Sequence, residues 1–205
     1  MKDDRYKTLR SPNTAEIIVK KSRFITSASP VDDEEEALHF IGKIKKAHGQ
    51  ANHNVFAYVI NEQTQRFSDD GEPSGTAGRP VLDVINRKGL VKAVIVVTRY
   101  FGGIMLGAGG LVRAYSEAAV KGIEAAGEVE RLLYQELNIA LDYHWVGVVK
   151  REVEKAGGKN FSMEYGEEVI LKVLLRPEGL EALSKRLTDL TSGQVIIKMG
   201  GFTYY

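Results

Sequence analysis

The sequence predicts an α+β protein of two domains, on three observations. A valine-rich run, VKAVIVVTRYF (91–101), is apolar along nearly its whole length, as a strand buried on both faces is. A helical stripe follows it at Leu111, Ala114, Tyr115, Ala118, Ala119 and Gly122. From Arg131 the pattern starts afresh and reads βαββαβ to the end of the chain.

In chain order, AEIIVKKSRFITSAS reads as a strand, rich in β-branched and aromatic residues. Pro30 to Glu36 reads as a helix start, because acids favour the positive end of the helix dipole. Leu38, Ile41 and Ile44 carry the apolar face, and Lys43, Lys45 and Lys46 suit the other end. HNVFAYVI (53–60) is a strand with Gln65 to Ser68 as its short partner. Pro80 opens a short helix, VLDVINRK, closed by Gly89. The valine run is then the centre of a sheet, and small residues let the helix after it pack closely.

In the second half, YQELNIALD, NFSMEY, EEVILKVLLR and GQVIIKMGGFTYY read as strands. HWVGVVKREVEKAG and EGLEALSKRLTDL read as helices, the latter with Leu180, Leu183, Leu187 and Leu190 on one face. The expected domains are 1–130 and 131–205, the second ferredoxin-like. Tyr134, Phe202, Tyr204 and Tyr205 would line its open sheet face or pack at the domain interface.

Composition narrows the chemistry. The chain of 205 residues has no cysteine, which excludes disulfides, thiolate metal sites and a cysteine nucleophile. Net charge is +1; Lys and Arg against Asp and Glu stand at 18 to 17 through Glu130 and 10 to 10 after it. Binding to nucleic acid would therefore need a local patch rather than a basic domain. No signal-like or membrane-spanning stretch stands out, so a cytoplasmic address and no membrane partner are expected.

Two stretches invite a functional reading. In FSDDGEPSGTAGRP, Asp69, Asp70 and Glu72 are hard oxygen ligands of the type that hold a divalent metal, although the same residues suit an ordinary tight connection. In GGIMLGAGGLVRAY, Gly107, Gly109 and Gly110 leave backbone N–H groups uncovered at a helix start, suited to phosphate or to close packing. Arg99 ends the buried strand. With Arg79 and Arg113 it would grip a phosphate, beside Tyr100 and Phe101 as stacking faces, or it would pair with Asp69 or Asp70 and pin the loop. His48 and His53 match no metal spacing, and Ser74 has no recognisable base beside it.

SDDGEPSGTAGRP, VKAVIVVTRYFGGIMLGAGGLVRAYSEA and HGQANHNVFAYVI together resemble the signature of the IMPACT family, and the second half resembles its bacterial members. The resemblance implies a first domain like ribosomal protein S5 domain 2 and a second like the C-terminal domain of elongation factor G. It implies a translation-associated regulator that contacts RNA or the ribosome, or a protein partner in translation control, and it carries over no catalytic residue. The competing expectation is an enzyme acting on a phosphorylated small molecule or nucleotide, with a metal on Asp69, Asp70 and Glu72.

Overall fold

The computed structural model describes residues 4–205 as a mixed α+β chain in two compact units, Tyr6–Glu130 and Arg131–Tyr205, with Asp4 and Arg5 grouped with the latter. Helices and strands follow the predicted order closely, with two additions near the start. A short strand, β1 (Arg5–Leu9), precedes the first predicted one. The stretch read as one strand is a hairpin of β2 (Asn13–Val19) and β3 (Ser22–Pro30). Its two-residue turn is Lys20–Lys21, both at positive φ, where Gly or Asn would have given the turn away.

The first unit is built on an antiparallel sheet in the order β2-β3-β6-β4-β5, where β4 is His53–Val59, β5 Gln65–Ser68 and β6 Ala93–Tyr100. The central β6 alternates between two cores, as a strand buried on both faces must. Ala93, Ile95 and Val97 face one cluster, shared with α2 (Gly78–Arg87) and α3 (Ala108–Ala126). Val94 and Val96 face the other, with Ala37 and Ile41 of α1 (Glu34–Ala47).

Local chemistry fixes the helix ends. Asp33 caps α1 by accepting from the Glu36 N–H at 2.9 Å, so the helix begins four residues after Pro30. Helix α3 lies close on the sheet because Gly122 has no side chain: a Cβ there would stand 2.2 Å from Thr26 Cγ2. Thr26 in turn donates its hydroxyl to the Ala118 carbonyl at 2.9 Å.

The second unit runs β7 (Glu128–Leu141), α4 (Val146–Lys155), β8 (Lys159–Tyr165), β9 (Val169–Leu175), α5 (Leu180–Leu190) and β10 (Ile196–Tyr204). The strands pair antiparallel in the order β10-β7-β9-β8. Leu137, Ile139 and Leu141 of β7 join Leu171 and Val173 of β9 under Val149, Val153, Leu183 and Leu187 from the two helices. Among the described residues no helix is long and apolar enough to cross a membrane.

Candidate functional site

The FSDDGEPSGTAGRP stretch leaves β5 and delivers the chain into α2, and its three acids do three separate jobs. Asp69 accepts backbone N–H bonds from Gly75 (2.9 Å), Ala77 (3.1 Å) and Gly78 (2.8 Å), which satisfies donors around the start of α2. Asp70 accepts from the Asn54 N–H at 2.6 Å and from Lys45 Nζ at 2.7 Å. Burial works to raise its pKa, but those two hydrogen bonds and the charges of Lys45 and His53 outweigh it and hold the carboxyl below the ordinary range.

Glu72 turns inward. Its Oε1 accepts from Arg99 Nη1 at 2.6 Å and from the Tyr115 hydroxyl at 2.7 Å, and both ends of the ion pair are buried. Burial, and then the Glu72 carboxylate, push the Tyr115 phenol far above its usual pKa, so it serves as a fixed donor. The sequence placed Arg99 beside Asp69 or Asp70 or on a phosphate; its partner is Glu72, and its guanidinium lies between the rings of Phe24 and Phe101. Its Nε has no hydrogen-bond partner.

Glu72 and Arg99 line one side of a cavity of about 620 Å³. Phe101, Met105, Leu106 and Leu111 make its apolar side. His53 stands at the polar end, with Nδ1 2.9 Å from the Asp70 carbonyl and Nε2 3.8 Å from Glu72 Oε1. A carbonyl can only accept, so Nδ1 carries a proton and Nε2 faces Glu72. Gly107 and Ala108 bring the amino end of α3 to the same space. Gly107 caps it at φ +71 with no side-chain hydrogen bond, and the helix has no acid in its first turn. Its first N–H groups are therefore uncapped donors at the positive end of a 19-residue helix.

The other predicted residues lie elsewhere. Arg79 is exposed on α2 and donates to Asp83 at 2.8 Å, in a groove shared with Arg87, Val112 and Ser116. Arg113 is exposed one turn into α3, with Nη1 3.8 Å from where a Cβ on Gly109 would stand. It makes no ion pair or hydrogen bond with a described residue. Gly110 is half-buried beside Leu106. Tyr100 is half-buried, its hydroxyl 2.9 Å from His48 Nδ1 and Arg23 over its ring, so the two histidines serve different partners. Asp69, Asp70 and Glu72 are not gathered: among the described residues no group of three His, Cys, Asp or Glu side chains could hold a metal ion. Tyr115, buried, and His53, half-buried, complete the cluster around Glu72. Tyr115 sits on the apolar stripe of α3, where sequence spacing counts it as core alone.

This pairing of an antiparallel first unit with a βαββαβ second unit is matched in known proteins along almost the whole chain. The Impact N-terminal domain family covers residues 20–123, and a domain of unknown function, DUF1949, covers residues 139–194. The IMPACT family member YvyE of Bacillus subtilis is 43% identical over 97% of this chain and 93% of its own. The IMPACT family member YigZ of Escherichia coli is 33% identical over 90% of this chain and 93% of its own. Protein IMPACT of Oryctolagus cuniculus is 32% identical over 43% of this chain, matching 29% of its own length. A solved structure described as that of a hypothetical protein superposes with a TM-score of 0.63 at 31% identity, covering 95% of this chain and 96% of the other. The chain belongs to the IMPACT family.

Proposed function

We propose that this IMPACT-family protein is a translation-associated regulator of the cytoplasm that contacts RNA or the ribosome through an exposed phosphate-binding surface on its first unit. The observation that supports this reading is Arg113. Arg113 lies one turn into α3 and is unpaired, its guanidinium beside Gly109 in a first turn that carries no acid. A phosphate placed between them would take the uncapped N–H groups and the guanidinium together. Arg79, in an exposed pair with Asp83 that a phosphate could displace, stands across the groove from Val112 and Ser116. Arg99 is spent on Glu72, so surface contact is assigned to Arg79, Arg113 and the Gly107–Gly110 turn.

The antiparallel order β10-β7-β9-β8 with both helices on one face supports a ferredoxin-like reading of the second unit, like the C-terminal domain of elongation factor G. We read the first unit as S5 domain 2-like on the resemblance of its signature. The metal-dependent enzyme has no part in this proposal, because its three carboxylates hold separate partners.

The test is fluorescence anisotropy with labelled single-stranded RNA over a salt series, comparing wild type with Arg79→Glu/Arg113→Glu. Salt-sensitive binding that falls at least about tenfold in the folded double variant is the expected result. Equal affinity in the two proteins would remove the surface assignment.

A further inference from the structure

The cavity walled by Phe101, Met105, Leu106 and Leu111 lies inside the first unit and does not involve Arg79 or Arg113. At about 620 Å³ it is the size of a small-molecule site, and it offers an apolar side, a set of acceptors and a set of donors. Two of its buried polar residues are incompletely paired. Glu72 is 8% exposed, and its side chain is held entirely through Oε1, which leaves Oε2 as a free acceptor. Arg99 is 5% exposed and has an Nε–H with no acceptor. The Arg99 Nε–H is the buried side-chain donor left without a partner among the described residues, and such a group is costly until something accepts from it.

The polar features differ in sign. Glu72 pairs with Arg99 through Oε1 alone, and its Oε2 is an acceptor that suits an ammonium group. The amino end of α3 at Gly107 and Ala108 supplies uncapped N–H donors and positive potential, so it suits a carboxylate. A simple anion would meet Glu72 unfavourably, and a simple cation would meet the helix end unfavourably. A zwitterion satisfies both, and the apolar wall then receives its side chain. We infer that this cavity binds a free apolar α-amino acid, its carboxylate at the start of α3, its ammonium at Glu72, and its side chain against Phe101, Met105, Leu106 and Leu111.

This goes beyond the RNA reading and shares only the amino end of α3 with it, so either can fail while the other stands. Isothermal titration of the full chain with L-leucine, L-methionine and L-phenylalanine is the direct test, with N-acetyl-L-leucine and L-leucinamide as probes lacking one charge each. Saturable binding of at least one free amino acid is expected, with both blocked leucine analogues weaker than L-leucine by about tenfold or more, the loss typical of a charged hydrogen bond.

Glu72→Gln risks the fold because it weakens the partner of a buried arginine, so Ala108→Asp is the decisive variant. It places a carboxylate at the helix end, where it favours α3, while occupying the site assigned to the ligand carboxylate. The folded variant should bind at least about tenfold more weakly. Absence of binding by all three amino acids at millimolar concentration, blocked analogues that bind as well as L-leucine, or unchanged affinity in Ala108→Asp would each overturn the assignment.

Discussion

Arg99 Nη1 stands 2.6 Å from Glu72 Oε1 in the interior of the first unit, so a residue of the acidic loop and the end of the central strand are locked together across 27 positions of sequence. A buried ion pair of this kind is costly to break from one side, because the remaining charge has neither water nor partner. Arg99→Met and Glu72→Leu are each expected to lower unfolding free energy by about 3–5 kcal/mol, while the double variant recovers most of the loss. Urea denaturation of the four proteins forms the cycle; equal additive losses would show that the pair is not coupled.

The loop acid three positions before Glu72 has a different task. Asp69 satisfies three backbone N–H groups around the start of α2. Asp69→Ala should cost about 1–3 kcal/mol through unsatisfied donors, and Asp69→Asn less, since its amide oxygen still accepts. Thermal unfolding of both variants reads the difference. Equal effects of Ala and Asn would point to a role for the charge rather than for the acceptor.

Much of the fold was legible because its signals are local. The valine run of β6 and the spacing of α3 each record burial in a few neighbouring residues, and the structure buries both. The β2–β3 hairpin escaped because Lys20 and Lys21 adopt positive φ without a turn residue to announce it. The site was half legible. Asp69, Asp70, Glu72, Arg99 and Gly107 stood out by type, but the partner of Arg99 depends on which way each acid turns after β5. His53, Glu72, Arg99 and Tyr115 come from four separate elements, and no spacing rule links them.

Close packing of α3 gives a third expectation. A Cβ on Gly122 would fall 2.2 Å from Thr26 Cγ2 and 2.9 Å from Thr26 Cβ, on a strand that cannot retreat because β6 pairs with its other edge. Helix propensity alone makes Gly→Ala favourable by about 1 kcal/mol. Overpacking should reverse the sign, so that Gly122→Ala loses about 1–3 kcal/mol net. A stabilised variant in urea denaturation would mean that the helix shifts freely on the sheet.

Asp70 supplies a pH dependence whose direction follows from its partners. Its folded pKa lies below the unfolded value near 3.9, so its contribution is fully present above that value and is lost as pH falls through the folded pKa. Asp70→Asn is the suitable variant: the backbone there has φ +46, which Asn tolerates, and the amide oxygen still accepts from the Asn54 N–H. The lost part is then the charge opposite Lys45. Urea midpoints from pH 7 to pH 3 should show wild type more stable than Asp70→Asn at neutral pH, with the gap narrowing in acid. A gap that stays constant down to pH 3 would place the stabilisation in hydrogen-bond geometry and not in the ionised carboxylate.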